Sequence, residues 1–378
     1  MKNWLTYKRV IAGIAFIAVF LFAITSLAKV KAQTIALFRN WASSAALVVC
    51  SPEVKDTGRC DFVTDGTDDQ NEINQAIADL PGSGGKVYLT EGTFSINGVA
   101  NTFGGILISR NNVTLEGSGN ATLLKLTDGN TDKNVIRVAN KMANVTIRDL
   151  RIDGNRYKQN HSQPSGQPFE TNGIRAGSTG AAVVNVIVEN IHVESCRQLC
   201  IMLFASGGSI RNNWVGHAHS DTVEFLIGPG EISHNYFEMN GNNAGVVIST
   251  DAGDNIGIVG NVIRITNGAN VGVAIRTWQG FSGNNVQSNT IIAESGTKLE
   301  KAMTIGTSQS LVSGNTVRGG QTQIDITGNQ VLLSDNLFQN LAKITVTASA
   351  AAIIDNYFVV KPAITGLSDT IIRDNIGY

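Results

Sequence analysis

An asparagine returns at intervals of 19 to 28 residues through the second half of this 378-residue chain. The positions are Asn190, Asn213, Asn235, Asn261, Asn289, Asn315, Asn336, Asn356 and Asn375, and each follows an aliphatic residue by three places. A period of this length indicates a stacked repeat, and the Val and Ile around it favour strands. Asparagine tolerates the left-handed turn conformation, and its amide both donates and accepts. We therefore predict a structural ladder of asparagines along the axis.

Composition agrees with short strands joined by tight turns. Hydrophobic residues make up 42% of the chain, with 40 Gly and only 6 Pro. One helix is predicted, over residues 70 to 80, because Ile73, Ile77 and Leu80 fall on one face with Ala76 beside them. We expect Asp68 or Asp69 to cap its first turn. Such a helix would cover the open end of a solenoid.

The segment around this helix resembles a known superfamily. The matching stretches are Asp65-Gly66-Thr67-Asp68-Asp69, Ala76-Ile77, Gly84-Gly85-Lys86-Val87-Tyr88-Leu89 and Gly92-Thr93-Phe94. They look like the N-terminal cap of the pectate-lyase-like superfamily. The resemblance implies an all-β fold, a single-stranded right-handed parallel β-helix. The repeats predict about a dozen coils and extend the likeness over residues 61–378. The cap motif is specific for the fold and says little about activity.

The first 32 residues are predicted to be a signal peptide or an N-terminal membrane anchor. Basic residues precede an uncharged apolar run over residues 10–28, and small residues follow it. Residues 33–60 are interpreted as a lead-in and 61–378 as the β-helix domain. We expect a secreted or cell-surface protein, attached to the membrane through residues 10–28 only if that segment is uncleaved.

Net charge excludes one class of binding partner, and the cysteine positions suggest disulfide bonds. The chain has a net charge of −1, and its first 32 residues hold five basic residues and no acid, so the remainder carries about −6. With no basic stripe, a nucleic-acid partner is not expected. In an oxidising compartment Cys50 and Cys60 are predicted to pair. For Cys196 and Cys200, a second bridge and two free thiols remain as alternatives.

One coil is longer than the others. Asp149 stands where later coils carry the asparagine, yet 41 residues separate it from Asn190. The extra chain falls in residues 156–171, which are polar and lack periodicity. A loop of this kind is typical of a functional segment.

Alternation along the strand that follows each repeat predicts two outward rows. The first row contains Arg175, Met202, Glu224, Val247, Ala274, Thr304 and Asp325. The second contains Gly177, Phe204, Leu226, Ser249, Arg276, Gly306 and Thr327. Acids, histidines, arginines and a tryptophan concentrate on this face between residues 175 and 278, around His217 to Glu224.

These side chains form the candidate site. The candidate catalytic residues are Asp221, Glu224, His219, Arg276 and Arg175, and the candidate substrate-binding residues are Trp278, His217, Arg197 and Glu238. Two carboxylates suit glycoside hydrolysis. A uronate lyase or epimerase needs a cation for the substrate carboxylate and a base beside it. No cofactor is predicted, and a calcium site cannot be placed on particular residues.

Two functions follow as alternatives. The first is an exported enzyme that cleaves or modifies a polysaccharide as a lyase, glycoside hydrolase or uronate epimerase. The second is a non-catalytic, adhesin-type or tail-fibre-like β-helix that binds a polysaccharide. Motifs of the polygalacturonase-type hydrolases and the mannuronan epimerases are absent from the sequence. Convergence of Asp221, Glu224 and an arginine in one groove would favour the enzyme. The sequence does not indicate an oligomeric state.

Overall fold

The computed structural model describes residues 45–160, 170–216, 218–241 and 243–377. The predicted signal or anchor segment, the middle of the long loop (161–169) and His217 lie outside the described residues. Among those described, no helix is long and apolar enough to cross a membrane.

The chain winds into a right-handed parallel β-helix, as the sequence predicted. Every strand pairs in parallel with its equivalent in the neighbouring coil, in one 24-stranded and one 11-stranded sheet. The larger sheet has two faces joined by the long strand Ile201–Arg211, whose first half pairs with Val223–Ile227 and whose second half pairs with Gly230–Ser233. We call these the front face and the back face. Each coil visits front face, back face and 11-stranded sheet in that order.

The strand bounds follow this order. Besides Ile201–Arg211, the front face contains Gly104–Ile108, Asn134–Val138, Ile174–Ala176, Val223–Ile227, Asn243–Thr250, Asn270–Thr277, Lys298–Ile305, Thr322–Ile326, Leu341–Val346 and Ala363–Thr365. The back face contains Ala46–Cys50, Phe62–Val63, Gly85–Leu89, Val113–Glu116, Ala143–Arg148, Val183–Glu189, Gly230–Ser233, Ile256–Val259, Asn285–Gln287, Leu311–Ser313, Leu332–Ser334, Ala352–Ile354 and Ile371–Arg373. The 11-stranded sheet contains Gly92–Ile96, Thr122–Leu126, Arg151–Asp153, His192–Glu194, Trp214–Gly216, Tyr236–Asn240, Val262–Thr266, Thr290–Ala293, Thr316–Arg318, Leu337–Phe338 and Tyr357–Phe358.

The predicted capping helix spans Gln70–Asp79, and three short 3-10 helices span Thr57–Arg59, Gly119–Ala121 and Arg156–Lys158. The predicted apolar face of the capping helix is buried. The predicted cap is wrong, because no side chain caps this helix. Asp69 instead accepts bonds from the backbone N–H groups of Gly66 and Ser95, at 2.8 and 2.7 Å, and so ties the helix start to the first coil.

The asparagine ladder runs unbroken from Asn213 to Asn375 at the turn between the back face and the 11-stranded sheet. Each Nδ2 donates to the Oδ1 of the next asparagine at 2.9 to 3.0 Å. Each also donates to a backbone carbonyl, as Asn261 does to Ile232 at 2.8 Å. Buried amides with both functions paired stabilise every turn of this kind.

Two details of the predicted ladder are wrong. The left-handed residue is not the ladder asparagine but its predecessor, for example Asn212 with φ 56°. Asn190 and Asp149 are themselves such predecessors, with φ 52° and 53°. The ladder position after them is taken by Ile191 and Leu150, which are buried and apolar. The predicted register is one residue too early at Asn190. Ile187, three places before it, was taken as the buried aliphatic residue, but Ile187 is partly exposed and Val188 is the buried one.

Both cysteine pairs form disulfides, Cys50–Cys60 and Cys196–Cys200. The first lies within the lead-in and links the end of the back-face strand Ala46–Cys50 to the residues just before Phe62–Val63. The second closes a short turn that leads into the front-face strand Ile201–Arg211, next to the candidate site.

Candidate functional site

The front face carries one outward row of side chains that includes Glu224 and Arg276. Its members in successive coils are Arg175, Met202, Glu224, Ser249, Arg276, Thr304 and Asp325. The predicted rows placed Val247 and Ala274 here and put Ser249 and Arg276 in the neighbouring row, which is wrong by two residues in these two coils. Val246, Val247 and Ile248 are buried consecutively, so alternation is interrupted within that strand. Counting alternate residues from the start of the strand therefore assigns the wrong side chains to the outward row.

Asp221, Glu224 and Asp251 converge with Arg276 in a pocket of about 420 Å³ on this face. One carboxylate oxygen from each acid lies within 4.8 Å of the others. The guanidinium of Arg276 donates from Nη2 to Asp221 Oδ2 at 2.7 Å and to Asp251 Oδ2 at 2.5 Å, and from Nε to Asp251 Oδ1 at 3.0 Å. The predicted convergence of Asp221, Glu224 and an arginine is thus observed. Asp251, which completes the cluster, was not among the predicted site residues.

Each acid has its own surroundings. Glu224 is buried, and this burial, the negative charges of Asp251 and Asp221 and a hydrogen bond with Asp251 raise its pKa well above the ordinary value, although Arg276 opposes the shift. Burial likewise raises the pKa of Asp221 to about 6, against the attraction of Arg276. Asp251 accepts bonds from Ser249 Oγ and from Arg276. Burial and the neighbouring negative charges therefore favour the protonated form of Glu224.

The same three acids are spaced closely enough to hold a metal ion. Arg276, however, already bonds to both aspartates and supplies positive charge between them. An ion would have to compete with this guanidinium for the same oxygens. The arrangement favours acid–base chemistry over metal binding.

One wall of the pocket is apolar. Leu199, Met202, Phe204 and Leu226 form a small cluster separate from the main core, and Thr179 and Ser220 line the pocket beside it. Leu199 is held by its turn, which the Cys196–Cys200 disulfide closes, and its N–H donates to Asn172 Oδ1 at 2.9 Å. Met202 pairs in register with Glu224, so the apolar wall adjoins the acids directly.

Arg175, a candidate catalytic residue, is buried and does not line the pocket. Its Nε lies 3.2 Å from Glu170 Oε1, and Arg137 approaches the other oxygen of Glu170 at 3.8 Å. Burial lowers the pKa of Arg175 and raises that of Glu170. The guanidinium also lies 5.1 Å from the ring centroid of Phe204. Strand alternation predicted an exposed Arg175. It gives no information on Glu170, which precedes the strand and covers Arg175 by pairing with it.

The remaining predicted residues lie around or away from the pocket. Trp278 is 45% exposed, and the Arg276 guanidinium lies 5.1 Å from its ring centroid, so it flanks the pocket. His219 is exposed and does not line the pocket; partial desolvation, Arg197 and Arg156 lower its pKa. Glu238 belongs to the 11-stranded sheet, where it pairs with Gly216 and Arg264, and so does not join the cluster.

Several solved structures share this fold. The A-module of the mannuronan C-5 epimerase AlgE4 from Azotobacter vinelandii is 17% identical over 82% of this chain and 91% of its own, with a TM-score of 0.63. DFA-IIIase from Arthrobacter chlorophenolicus A6 without its lid is 14% identical over 87% and 98%, with a TM-score of 0.59. The tailspike protein of Escherichia coli bacteriophage HK620, in complex with a pentasaccharide, is 15% identical over 87% and 65%, with a TM-score of 0.60.

At these identities the likeness concerns the fold alone. No protein-family model matches the chain. No curated protein matches it in sequence.

Proposed function

We propose that this protein is an exported glycoside hydrolase that cleaves a polysaccharide in the pocket of Asp221, Glu224 and Asp251. The observation that carries the proposal is the convergence of three carboxyls in one pocket of the front face, one of which, Glu224, is buried and has a raised pKa. Hydrolysis of a glycosidic bond needs an acid for the leaving oxygen and a carboxylate on the other side of the reaction centre. A buried Glu224 with a raised pKa meets the first need, and Asp221 meets the second.

In this mechanism Glu224 donates its proton to the glycosidic oxygen as the bond breaks. Asp221, ionised above a pH of about 6, attacks the anomeric carbon as the partner carboxylate and forms a glycosyl-enzyme that water then hydrolyses. The oxygens of Asp221 and Glu224 lie within 4.8 Å of each other, which suits this nucleophilic role better than activation of a water between them. Asp251 is saturated by Arg276 and Ser249, and it orients Glu224 through the hydrogen bond between them. Arg276 holds both aspartates in position.

The lyase and epimerase alternatives receive less support from the same geometry. Both need a cation that neutralises the carboxylate of a uronate. Of the described residues that line the pocket, Arg276 alone is basic, and it is bonded to two aspartates. A uronate would meet net negative charge here. Hydrolysis of a neutral sugar polymer avoids this repulsion.

Similar solved structures agree with a carbohydrate ligand. They include the catalytic domain of a GH87 alpha-1,3-glucanase in complex with tetrasaccharides, 16% identical with a TM-score of 0.54 over 80% of this chain and 67% of its own. Export is part of the proposal because the predicted N-terminal segment and the two disulfides suit an oxidising compartment. The tailspike's bound pentasaccharide keeps non-catalytic binding as the second candidate.

The test incubates the full chain with neutral and acidic polysaccharides. New reducing ends without unsaturated products support hydrolysis, unsaturated ends indicate a lyase, and changed uronate stereochemistry indicates an epimerase. Glu224→Gln should lower the rate by about 10²- to 10⁴-fold, whereas Asp325→Asn, in the same outward row but outside the pocket, should not. Binding without turnover on the whole panel would overturn the hydrolase and favour the binding protein.

A further inference from the structure

The apolar wall of the pocket calls for an explanation, because it stands on the outward side of a sheet. Leu199, Met202, Phe204 and Leu226 are each at most 6% exposed and pack against one another outside the main core. Met202 belongs to the outward row that continues in the next coils with Glu224, Ser249, Arg276, Thr304 and Asp325, whereas Phe204 and Leu226 pair with each other in the neighbouring row. Four apolar side chains are thus grouped in the coils that build the pocket. They line the pocket beside the acids.

This wall is poorly suited to stacking against the face of a sugar ring. Phe204 is the one aromatic side chain among the described residues that line the pocket, and the Arg175 guanidinium already lies over its ring at 5.1 Å. The other members are branched or flexible aliphatic side chains. They offer a small apolar surface to a methyl group. A hydroxyl placed there would lose its hydrogen bonds to water without replacement.

Polar groups border the wall at two points. The hydroxyls of Thr179 and Ser220 line the pocket, and the carboxyls of Asp221 and Glu224 face it. A sugar bound here would direct its hydroxyls to these groups and its least polar substituent to the wall. The pocket's charge is negative and its arginine is paired, so a substituent that bears a carboxylate is disfavoured.

We propose that the pocket selects a glycosyl residue that carries a methyl group, either as a 6-deoxyhexose or within the acetamido group of an N-acetylhexosamine. The inference rests on the proposed glycoside hydrolase for its location and adds the class of sugar that the enzyme accepts. Met202, Phe204 and Leu226 are the specificity-determining residues. One methyl group in an apolar pocket discriminates by about tenfold or more.

The experiment compares matched sugars in binding to the full chain with Glu224→Gln, measured by ligand-observed NMR titration. The pairs are L-fucose with L-galactose, L-rhamnose with L-mannose, and N-acetylglucosamine with glucose. We expect the methyl-bearing member of at least one pair to bind about tenfold more tightly. The fucose and rhamnose pairs report the 6-deoxy source, and the third pair reports the acetamido source. Met202→Gln, which keeps the length of the side chain, should remove the preference.

The outcomes separate the inference from the proposed function. Equal binding within all three pairs overturns the inference, even if polysaccharides are hydrolysed. A methyl preference that survives Met202→Gln also overturns it, because the wall would not be its source. If that variant fails to fold, the pairs measured on the unaltered wall decide the question. A methyl preference without hydrolysis of any polymer supports the selectivity and overturns the hydrolase.

Discussion

Glu224 and Arg276 lie in one outward row of the front face, two coils apart, with Ser249 between them. From this position the guanidinium of Arg276 reaches back to Asp221 at 2.7 Å and across to Asp251 at 2.5 Å. One arginine thereby joins Asp221, from the coil of Glu224, to Asp251, from the next coil. The spacing is fixed by strand pairing, so the cluster is preorganised by the scaffold.

Glu224→Gln should lower kcat by about 10²- to 10⁴-fold, the usual contribution of a general acid. Because the raised pKa favours the protonated form of Glu224, the amide is nearly isosteric and isoelectronic with that form. The midpoint of thermal unfolding should therefore stay close to that of the wild type. Reducing-end assays and circular dichroism check both expectations. Asp325→Asn is the matched control, and equal losses in the two variants would contradict the role of Glu224.

The pH dependence of kcat/KM should show an acid limb near pH 6. Asp221 must lose its proton to act as the partner carboxylate, and burial raises its pKa to about 6. Activity then rises with pH through this value and falls again when Glu224 loses its proton at higher pH. Rate profiles on a soluble substrate measure both limbs. An acid limb near pH 4, the region of an ordinary aspartate, would show that Asp221 is not the titrating group.

Asp221→Asn should raise the free energy of unfolding at neutral pH. The ordinary pKa of 3.8 applies to the unfolded chain and about 6 to the folded one, so the folded state holds the proton more tightly. Stability is therefore highest when Asp221 is protonated, and it declines as pH rises from 3.8 to about 6. An uncharged amide avoids this loss, which amounts to about 1–3 kcal/mol. Urea denaturation on both sides of this pH window measures it, and a variant less stable than the wild type at neutral pH would contradict the sign.

Much of the fold was predictable because the repeat is local. The asparagine spacing, the aliphatic residues before it and the helix face of Ile73 and Ile77 all recur within a short stretch of sequence. Each local preference agrees with the same global arrangement. Stacking then follows from pairing each strand with the next coil.

The site was predictable only in part, because it depends on register between coils. Asp221, Glu224 and Arg276 were placed on one face, yet Asp251 was missed and Arg276 was put in the wrong row. Consecutive burial of Val246 and Val247 breaks the alternation on which such counting depends. The sequence contains a signal, since Asp251 directly follows the strand that carries Ser249, but the direction of its side chain depends on this interrupted alternation.

Arg175→Ala should destabilise the protein by about 3–5 kcal/mol, because it leaves Glu170 buried with less compensating charge. The double variant Arg175→Met with Glu170→Gln removes both charges and should recover a large part of that loss. Chemical denaturation of the two variants measures the difference. If Arg175→Ala keeps wild-type stability but loses activity, Arg175 has the catalytic role that the sequence first suggested.

The asparagine ladder predicts that the same substitution, Asn to Asp, lowers stability strongly at one position and hardly at all at another. Asn261→Asp replaces an amide that donates to Asn289 Oδ1 and to the Ile232 carbonyl with a group that has no donor when ionised. We expect a loss of about 2–3 kcal/mol at neutral pH. The loss should shrink at acid pH, where the introduced carboxyl is protonated and can donate one bond.

Asn190→Asp is the matched control, because Asn190 is a left-handed residue outside the ladder. In later coils Asp335, Asp355 and Asp374 occupy the corresponding left-handed position, with φ of 55° to 58°. This substitution should change stability by no more than about 0.5 kcal/mol. Equal effects at the two positions, measured by urea denaturation, would contradict the placement of Asn190 beside the ladder. A cost confined to Asn261→Asp would show that the stabilisation comes from the paired amides, since both positions carry the same residue in the same kind of turn.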